Sequence, residues 1–457
     1  MKYSHIYICL MAFLTLSACN ATKECRQPDL ALPQQAEAEY DSMQLADQKW
    51  WRFYADETLS EMISSTLERN KDLLSSEARV RELRYYFRVK NAAMYPQLDG
   101  RVYAEQETND YHGEGFVRDP EIGIKATVRW EADLWGNLSW AKKGALASYQ
   151  EAVEQRHALR MSLVAEVASA YYSLMALKSE LHVVRTTLLT RSENVRMAKL
   201  RYEGGLTSET VYQQAQVEYA STAALIPKLE QRISATSNTI SLLMGEYPKE
   251  DIGMSNVTDI YDNLTDSMPS EVSTELLLRR PDVRAAEMRL RKAMADVGVA
   301  YTDRFPRLII SLTGGVEDND FANLLKSPFS FISAGIAGPI FDFNGRKSRY
   351  RAAVEAYEQA RLGYEQTVLE VFKEANDAVV GYRKAREGVD LQQKLCESVR
   401  KYLELAQLQY ISGSIIYINV LDAQRHFLEA QTALINAVRD EHLAVVQLYR
   451  AMGGGWK

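Results

Sequence analysis

The stretch IGIKATVRWEAD, Ile122–Asp133, sets apolar against polar at every second position. Ile122, Ile124, Ala126, Val128, Trp130 and Ala132 fall on one side. Gly123, Lys125, Thr127, Arg129, Glu131 and Asp133 fall on the other. A period of two is that of a β-strand, here with one face suited to lipid and one to water. Leu98, Gly100, Val102 and Ala104 alternate in the same way with Asp99, Arg101, Tyr103 and Glu105. Leu308, Ile310 and Leu312 alternate less cleanly with Ile309, Ser311 and Thr313. A fourth segment, about Phe331 to Phe341, sets Ile332, Ala334, Ile336 and Ile340 on one side. At about ten residues each, these segments match the reach of a tilted transmembrane strand. Alternation alone equally fits a half-buried strand in a soluble sheet, so the surrounding chain must decide.

That chain says most things twice, at a separation of about 210 residues. Asn70-Lys71-Asp72-Leu73 is echoed by Arg280-Pro281-Asp282-Val283, and Tyr95-Pro96-Gln97-Leu98 by Phe305-Pro306-Arg307-Leu308. Asp133-Leu134-Trp135-Gly136 is answered by Asp342-Phe343-Asn344-Gly345. Tyr202 and Gly205 are answered by Tyr410 and Gly413, and Met244-Gly245 by Met452-Gly453. The order never changes, which points to duplication. Each half reads as helix, two strands, very long helix, medium helix.

From about Asn137 to Tyr202, and from Arg346 to Ile411, there is no proline and little glycine. Each stretch predicts one helix of about 65 residues, roughly 100 Å long. Along the second, Ala353, Tyr357, Ala360, Tyr364, Val368, Val371, Ala375, Ala378 and Tyr382 recur three or four apart. This is the seam of a coiled coil, and its residues pack rather than do chemistry.

Four strands cannot close a barrel with a lumen, because the smallest outer-membrane barrels use eight. An open sheet in lipid would leave unpaired edge groups at several kcal/mol each. If the strands span a membrane, several chains must share one barrel.

The N-terminus reads as an export signal: Met1-Lys2, an apolar run from Ile6 to Leu16, then small residues. Leu16-Ser17-Ala18-Cys19 resembles a bacterial lipobox, which makes Cys19 a candidate for lipid attachment and the first mature residue. Cys9 leaves with the signal. Cys25 and Cys396 then imply no disulfide framework and read as structural or incidental thiols.

The formal charge of −7 becomes −8 once Lys2 is removed, which argues against nucleic acid as the main partner. No later run approaches the roughly 18 apolar residues of a spanning helix. His112, His157, His182, His426 and His442 form no metal-ligand spacing, and no nucleophile elbow, zinc-type cysteine pair or P-loop occurs. No catalytic or metal site is expected, and energy for any transport must come from elsewhere.

Taken together, these features resemble the TolC-type outer-membrane efflux family, in its lipoprotein (OprM/NodT) branch. The likeness rests on Leu278-Arg279-Arg280-Pro281-Asp282-Val283-Arg284-Ala285-Ala286-Glu287 and on Phe305-Pro306 leading into Ser311-Leu312-Thr313. It rests also on Pro339-Ile340-Phe341-Asp342 before Gly345-Arg346, on Tyr410, Gly413 and Tyr417, on Leu421-Asp422-Ala423-Gln424-Arg425, and on the Gly453-Gly454-Gly455-Trp456 ending.

The resemblance implies a mainly α fold with transmembrane β. A long α-helical coiled-coil tunnel joins four β-strands per chain, which enter a shared twelve-stranded barrel in a homotrimer. It divides the chain into a signal peptide (1–18), a lipidated segment (19–57), a first repeat (58–248), an equatorial connector (249–272), a second repeat (273–453) and a tail (454–457). It implies a passive exit duct in the outer membrane, fed by a periplasmic adaptor and an inner-membrane pump of RND type, with no cofactor beyond the lipid on Cys19.

It also assigns sites. Gly204, Gly205, Gly413 and Ser414 would form the helix-turn-helix tips that meet the adaptor. Asp422 would project into a periplasmic gate as a ring of three, with Tyr417 close by. Asn419 stands where some relatives carry a second acidic residue, and in the first repeat Gln214 takes the place of Asp422. A periplasmic lipoprotein scaffold would share the long helices and the tether but would need no alternating strands.

Overall fold

The computed structural model describes residues 22–23, 25–26, 28, 30, 56–110, 113, 115–249, 260, 274–338 and 341–454. Cys19, His112, Ile340, Trp456 and most of the expected connector lie outside the described residues. In chain order the elements are α1 (Glu57–Arg69), α2 (Lys71–Ala92), β1 (Gln97–Asn109), β2 (Val117–Ala132), α3 (Asn137–Glu203), α4 (Glu209–Ala223), α5 (Leu225–Leu243), α6 (Thr274–Leu278), α7 (Pro281–Thr302), β3 (Arg307–Asp318), β4 (Pro328–Ala337), α8 (Gly345–Ile411) and α9 (Tyr417–Ala451). The chain divides into two compact units. One comprises Met1–Ala31, Ala78–Glu154 and Arg284–Thr367; the other comprises Leu32–Glu77, Gln155–Val283 and Val368–Lys457.

The first unit holds a four-stranded antiparallel sheet in the order β1-β2-β3-β4. Its register aligns the apolar positions of every strand on one face. Leu98, Val128, Leu312 and Ile332 form one row across the sheet, and Val102, Ile124, Val316 and Pro328 another. Leu98, Val102, Ile332 and Ile336 stand more than 70% exposed, so among the described residues nothing covers these positions.

The opposite face is polar and internally bonded. The Tyr103 hydroxyl lies 2.5 Å from Glu121 and 2.9 Å from Glu317, and the Thr127 and Thr313 hydroxyls are 3.0 Å apart. Gly123 makes room for the Tyr103 ring, since an added Cβ would sit 2.4 Å from it. β1 and β4 are edges.

Every strand departs from expectation at one end or more, and β3 runs on to Asp318. β1 and β2 run 13 and 16 residues and pair along all of β1, from Gln97↔Arg129 to Asn109↔Val117. Beyond Ala104 the apolar face carries Gln106 and Thr108, so hydrophobic periodicity stops before the ladder does. β4 occupies Pro328–Ala337 rather than Phe331–Phe341. Ser327 donates to Asp318 at 2.5 Å and returns the chain early, while Gly338 passes so close to Pro306 that a Cβ would lie 2.7 Å from it.

Both very long helices are 67 residues, Asn137–Glu203 and Gly345–Ile411. Asp133 starts the first by accepting from the Leu138 and Ser139 amides, both at 2.9 Å, and Asp342 starts the second by accepting from the Arg346 amide at 2.9 Å. The predicted seam on α8 is buried at Tyr357, Val368, Val371, Ala375 and Tyr382. It continues in heptads through Val389 to Cys396, which makes that thiol a core residue.

The medium helix of the first repeat is broken at Ala224. Pro227, three residues on, has no N–H to offer the Ala223 carbonyl. Its counterpart α9 has no such proline and runs unbroken for 35 residues.

Duplication shows most clearly in the second unit. Asn70 Nδ2 donates to the Leu243 carbonyl at 2.9 Å, and Arg280 Nη1 donates to the Ala451 carbonyl at 3.0 Å. Each repeat thus ties the start of its first strand-bound helix to the end of its last. Gly245 (φ +72°) and Gly453 (φ +75°) follow those carbonyls in left-handed turns, and a Cβ on either would strike Arg69 or Arg280.

Candidate functional site

The two helical turns of the second unit are near copies. After α3, Gly205 takes φ +73°, its amide bonds the Tyr202 carbonyl at 2.9 Å and the Leu206 amide bonds Arg201 at 2.8 Å. After α8, Gly413 takes φ +75°, its amide bonds Tyr410 at 3.0 Å and the Ser414 amide bonds Gln409 at 2.8 Å. Both are helix C-caps that require a left-handed residue, which glycine supplies without steric cost. Gly204 stays in the ordinary region, and a Cβ there would meet the Leu200 carbonyl at 3.3 Å. The Ser414 hydroxyl lies 3.0 Å from that of Ser412. Leu206, Ile411 and Ile416 stand exposed around the turns.

Just past the second turn, α9 presents the predicted gate residues. The side chain of Asp422 is 46% exposed, with Arg425 Nη1 at 3.8 Å and His426 Nε2 at 3.4 Å. Asn419 is exposed, and its amide bonds the Ile416 carbonyl at 3.1 Å. The Tyr417 ring sits 5.4 Å from that of Tyr410. Its hydroxyl is buried and has no hydrogen-bond partner among the described residues, so within one chain Tyr417 is a packed aromatic. Burial pushes it up to about 12.

Sequence reading missed the group that braces this region. Arg191 on α3 is buried, and Nη1 donates to the Glu218 carbonyl at 2.7 Å, pairs with the Glu218 carboxylate at 2.9 Å and bonds Thr222. Burial lowers the Arg191 guanidinium from its usual value, while Glu218 pulls the other way. Arg425 Nη2 reaches the same carboxylate at 3.3 Å, so Glu218 on α4 joins α3 to α9. In the second repeat the place of Glu218 is taken by His426. Asn194 Nδ2 donates to Gln424 at 3.3 Å and adds a second link between α3 and α9. No group of three or more metal-binding side chains occurs among the described residues.

An apolar four-stranded sheet with open edges, joined to paired helices with matched turns, defines the wall segment of a duct. The profile of the outer membrane efflux protein family matches residues 62–246 and 272–454. The chain belongs to the outer membrane efflux protein family: it is an outer-membrane duct that extends into the periplasm, and not an enzyme.

Among its relatives are the cation efflux system protein CusC of Escherichia coli O157:H7, 26% identical with 97% of each chain covered, and the probable outer membrane lipoprotein SilC of Salmonella typhimurium, 27% identical over 97% of each. The solvent efflux pump outer membrane protein SrpC of Pseudomonas putida is 27% identical over 98% of this chain and 97% of its own. Among solved structures, the outer-membrane channel OprN matches with a TM-score of 0.85 at 27% identity, covering 94% of this chain and 99% of that one. CusC matches at 0.83 and 25%, covering 94% and 99%.

Proposed function

We propose that three copies of the chain close one twelve-stranded barrel in the outer membrane and conduct solutes passively, received from a periplasmic adaptor and an inner-membrane pump of RND type. The observation that carries this reading is the sheet: one face apolar from Leu98 to Ala104 and across its partners, the other polar, and two edges unfinished within the chain. Twelve strands enclose water where four enclose nothing. The chain then falls into a signal (1–18), lipidated segment (19–57), first repeat (58–248), connector (249–272), second repeat (273–453) and tail (454–457).

The turns at Gly204-Gly205 and Gly413-Ser414 are the adaptor contacts in this reading, favoured by the exposed Leu206, Ile411 and Ile416 beside them. Asp422, in three copies, forms a cation-selecting ring at the periplasmic mouth, flanked by Tyr417 and Asn419. Lipidation of Cys19 is supported by reach. The Tyr357 hydroxyl donates to the Arg26 carbonyl at 2.8 Å, and Tyr357 lies twelve residues, about 18 Å, along α8 from its first residue, Gly345. Cys19 is seven residues before Arg26, a span of up to about 25 Å, enough to return to the membrane.

The test is gel mobility of detergent-extracted protein without heating. A band of three chains that collapses to one on boiling is expected, and a single-chain species throughout would sink the proposal. Metabolic palmitate labelling that disappears in C19S tests the anchor separately.

A further inference from the structure

Between α3, α8 and α9 the second unit holds a half-open cavity of about 360 Å³. One water takes roughly 30 Å³ of the liquid, so a single bridging water does not fill it, and the volume falls in the range of small-molecule sites. Leu403 of α8 and Phe427 of α9 supply apolar wall, and Gln407, Gln424 and Arg191 supply donors. Arg191 and His182 are the titratable residues of the lining, which contains no aspartate or glutamate among the described residues.

One buried cation of this lining is only half used. Arg191 is 4% exposed, and its hydrogen bonds all leave from Nη1, to the Glu218 carbonyl and to Thr222 on α4, a helix that takes no part in the cavity wall. Nε is buried and has no hydrogen-bond partner among the described residues, and Nη2 has none either. The Nε–Nη2 edge is the planar fork that matches the two oxygens of a carboxylate. Glu218 does not supply those oxygens, because it meets Arg191 at Nη1 and is shared with Arg425. Buried donors left without acceptors are costly. Gln424, 9% exposed, is in a similar position: its oxygen accepts from Asn194 at 3.3 Å, and its amide nitrogen has no partner among the described residues.

We infer that this cavity binds a small organic acid, a monocarboxylate with a compact aromatic or aliphatic body. The carboxylate takes the Nε–Nη2 edge of Arg191 in two charge-assisted hydrogen bonds, with the Gln424 amide as a further donor. The body lies on Phe427 and Leu403. The Arg400 guanidinium, 5.9 Å from the centre of the Phe427 ring, adds positive charge on the α8 side. A cationic ligand would meet Arg191 with no carboxylate in the wall to hold it. An acid so bound joins α3 to α8 and α9 next to Arg425 and stiffens the wall at that level. The site is complete within one chain and holds for any number of chains in the barrel.

The probe is 4-phenylbutyrate, titrated against the full chain in detergent and followed by the line width of its NMR signals, with empty micelles as the blank. Its neutral analogue, 4-phenylbutanamide, carries an amide in place of the carboxylate. The acid should bind at least about tenfold more tightly than the amide. R191K keeps the charge but loses the fork, and should cost the acid a similar factor while leaving the amide unchanged. Should R191K fail to fold, T187W decides. Thr187 also lines the cavity and makes none of the Arg191 bonds, so an indole there fills the space and should abolish acid binding with helical circular dichroism intact. Equal affinity for acid and amide overturns the proposal, as does undiminished acid binding in either variant. Binding of neither compound shows that the free edge of Arg191 serves a neighbouring chain or solvent, and overturns it as well.

Discussion

The Arg201 guanidinium donates to the Tyr410 hydroxyl at 2.7 Å and lies over the same ring. Arg201 is in the last turn of α3 and Tyr410 in the last turn of α8, so one side-chain pair fastens the tip of the first hairpin to that of the second. A hydrogen bond of this exposure with its cation–π component contributes about 1 kcal/mol, or roughly a fivefold shift between joined and splayed tips. R201M and Y410F should each raise mean conductance in planar bilayers, and the double variant should add little more. Unchanged conductance in both would show that the tips are held elsewhere.

Replacing Asp422 tests the proposed ring. D422N removes one carboxylate per chain while leaving its size, and cation preference in a salt gradient should fall by roughly two- to tenfold. A reversal potential identical to the parent's would place Asp422 outside the conducting path.

Arg280 should matter more for stability than its counterpart Asn70. It is 2% exposed and serves Asp282, Glu374 and the Ala451 carbonyl together. R280M strands those acceptors, two of them partly wet, at a cost of about 2–3 kcal/mol. R280K should recover little, because an ammonium lacks the planar fork. N70A loses two capping bonds and one carbonyl bond, about 1–2 kcal/mol. Helical circular dichroism during heating in detergent should rank them in that order; a larger loss for N70A would refute this account.

His442 predicts an acid-side loss of stability. It is 1% exposed, stacked on Tyr172 at 4.3 Å, and burial holds its imidazole below the ordinary value. The unfolded chain therefore takes up a proton first, near about pH 6.5. Stability is full above that value and declines as pH falls toward the folded one. Glu441 beside it, held above the usual carboxylate range by burial, slopes the other way, so the comparison is with H442Q at unchanged Glu441. From about pH 7 to about pH 5 the parent should lose more thermal stability than H442Q. Parallel curves would remove His442 as the cause.

The long helices, the seam and the apolar face were legible because each repeats one physical rule many times. β4 was misplaced by about three residues because its limits depend on Ser327 and Pro306, which are contacts rather than periodicity. The outer half of β1 went unread because Gln106 and Thr108 interrupt the apolar alternation. At the candidate site, Asp422 was visible through its motif and its distance from Gly413. Arg191, Glu218 and Arg425 were not, since residues 27 and 207 positions apart meet only once α3, α4 and α9 are packed. Phe343 was read only as part of a repeat, and its left-handed backbone and exposure appear only in the fold.

The bare edges of β1 and β4 bear on the life of the newly exported chain. Alone in the periplasm it is a sticky half-product, prone to zip onto any extended strand it meets. Maturation then competes with clumping, and since the proposed barrel takes three copies, scarcity slows the first far more than a single spurious encounter. Cells making few copies should depend most heavily on a holding chaperone during biogenesis.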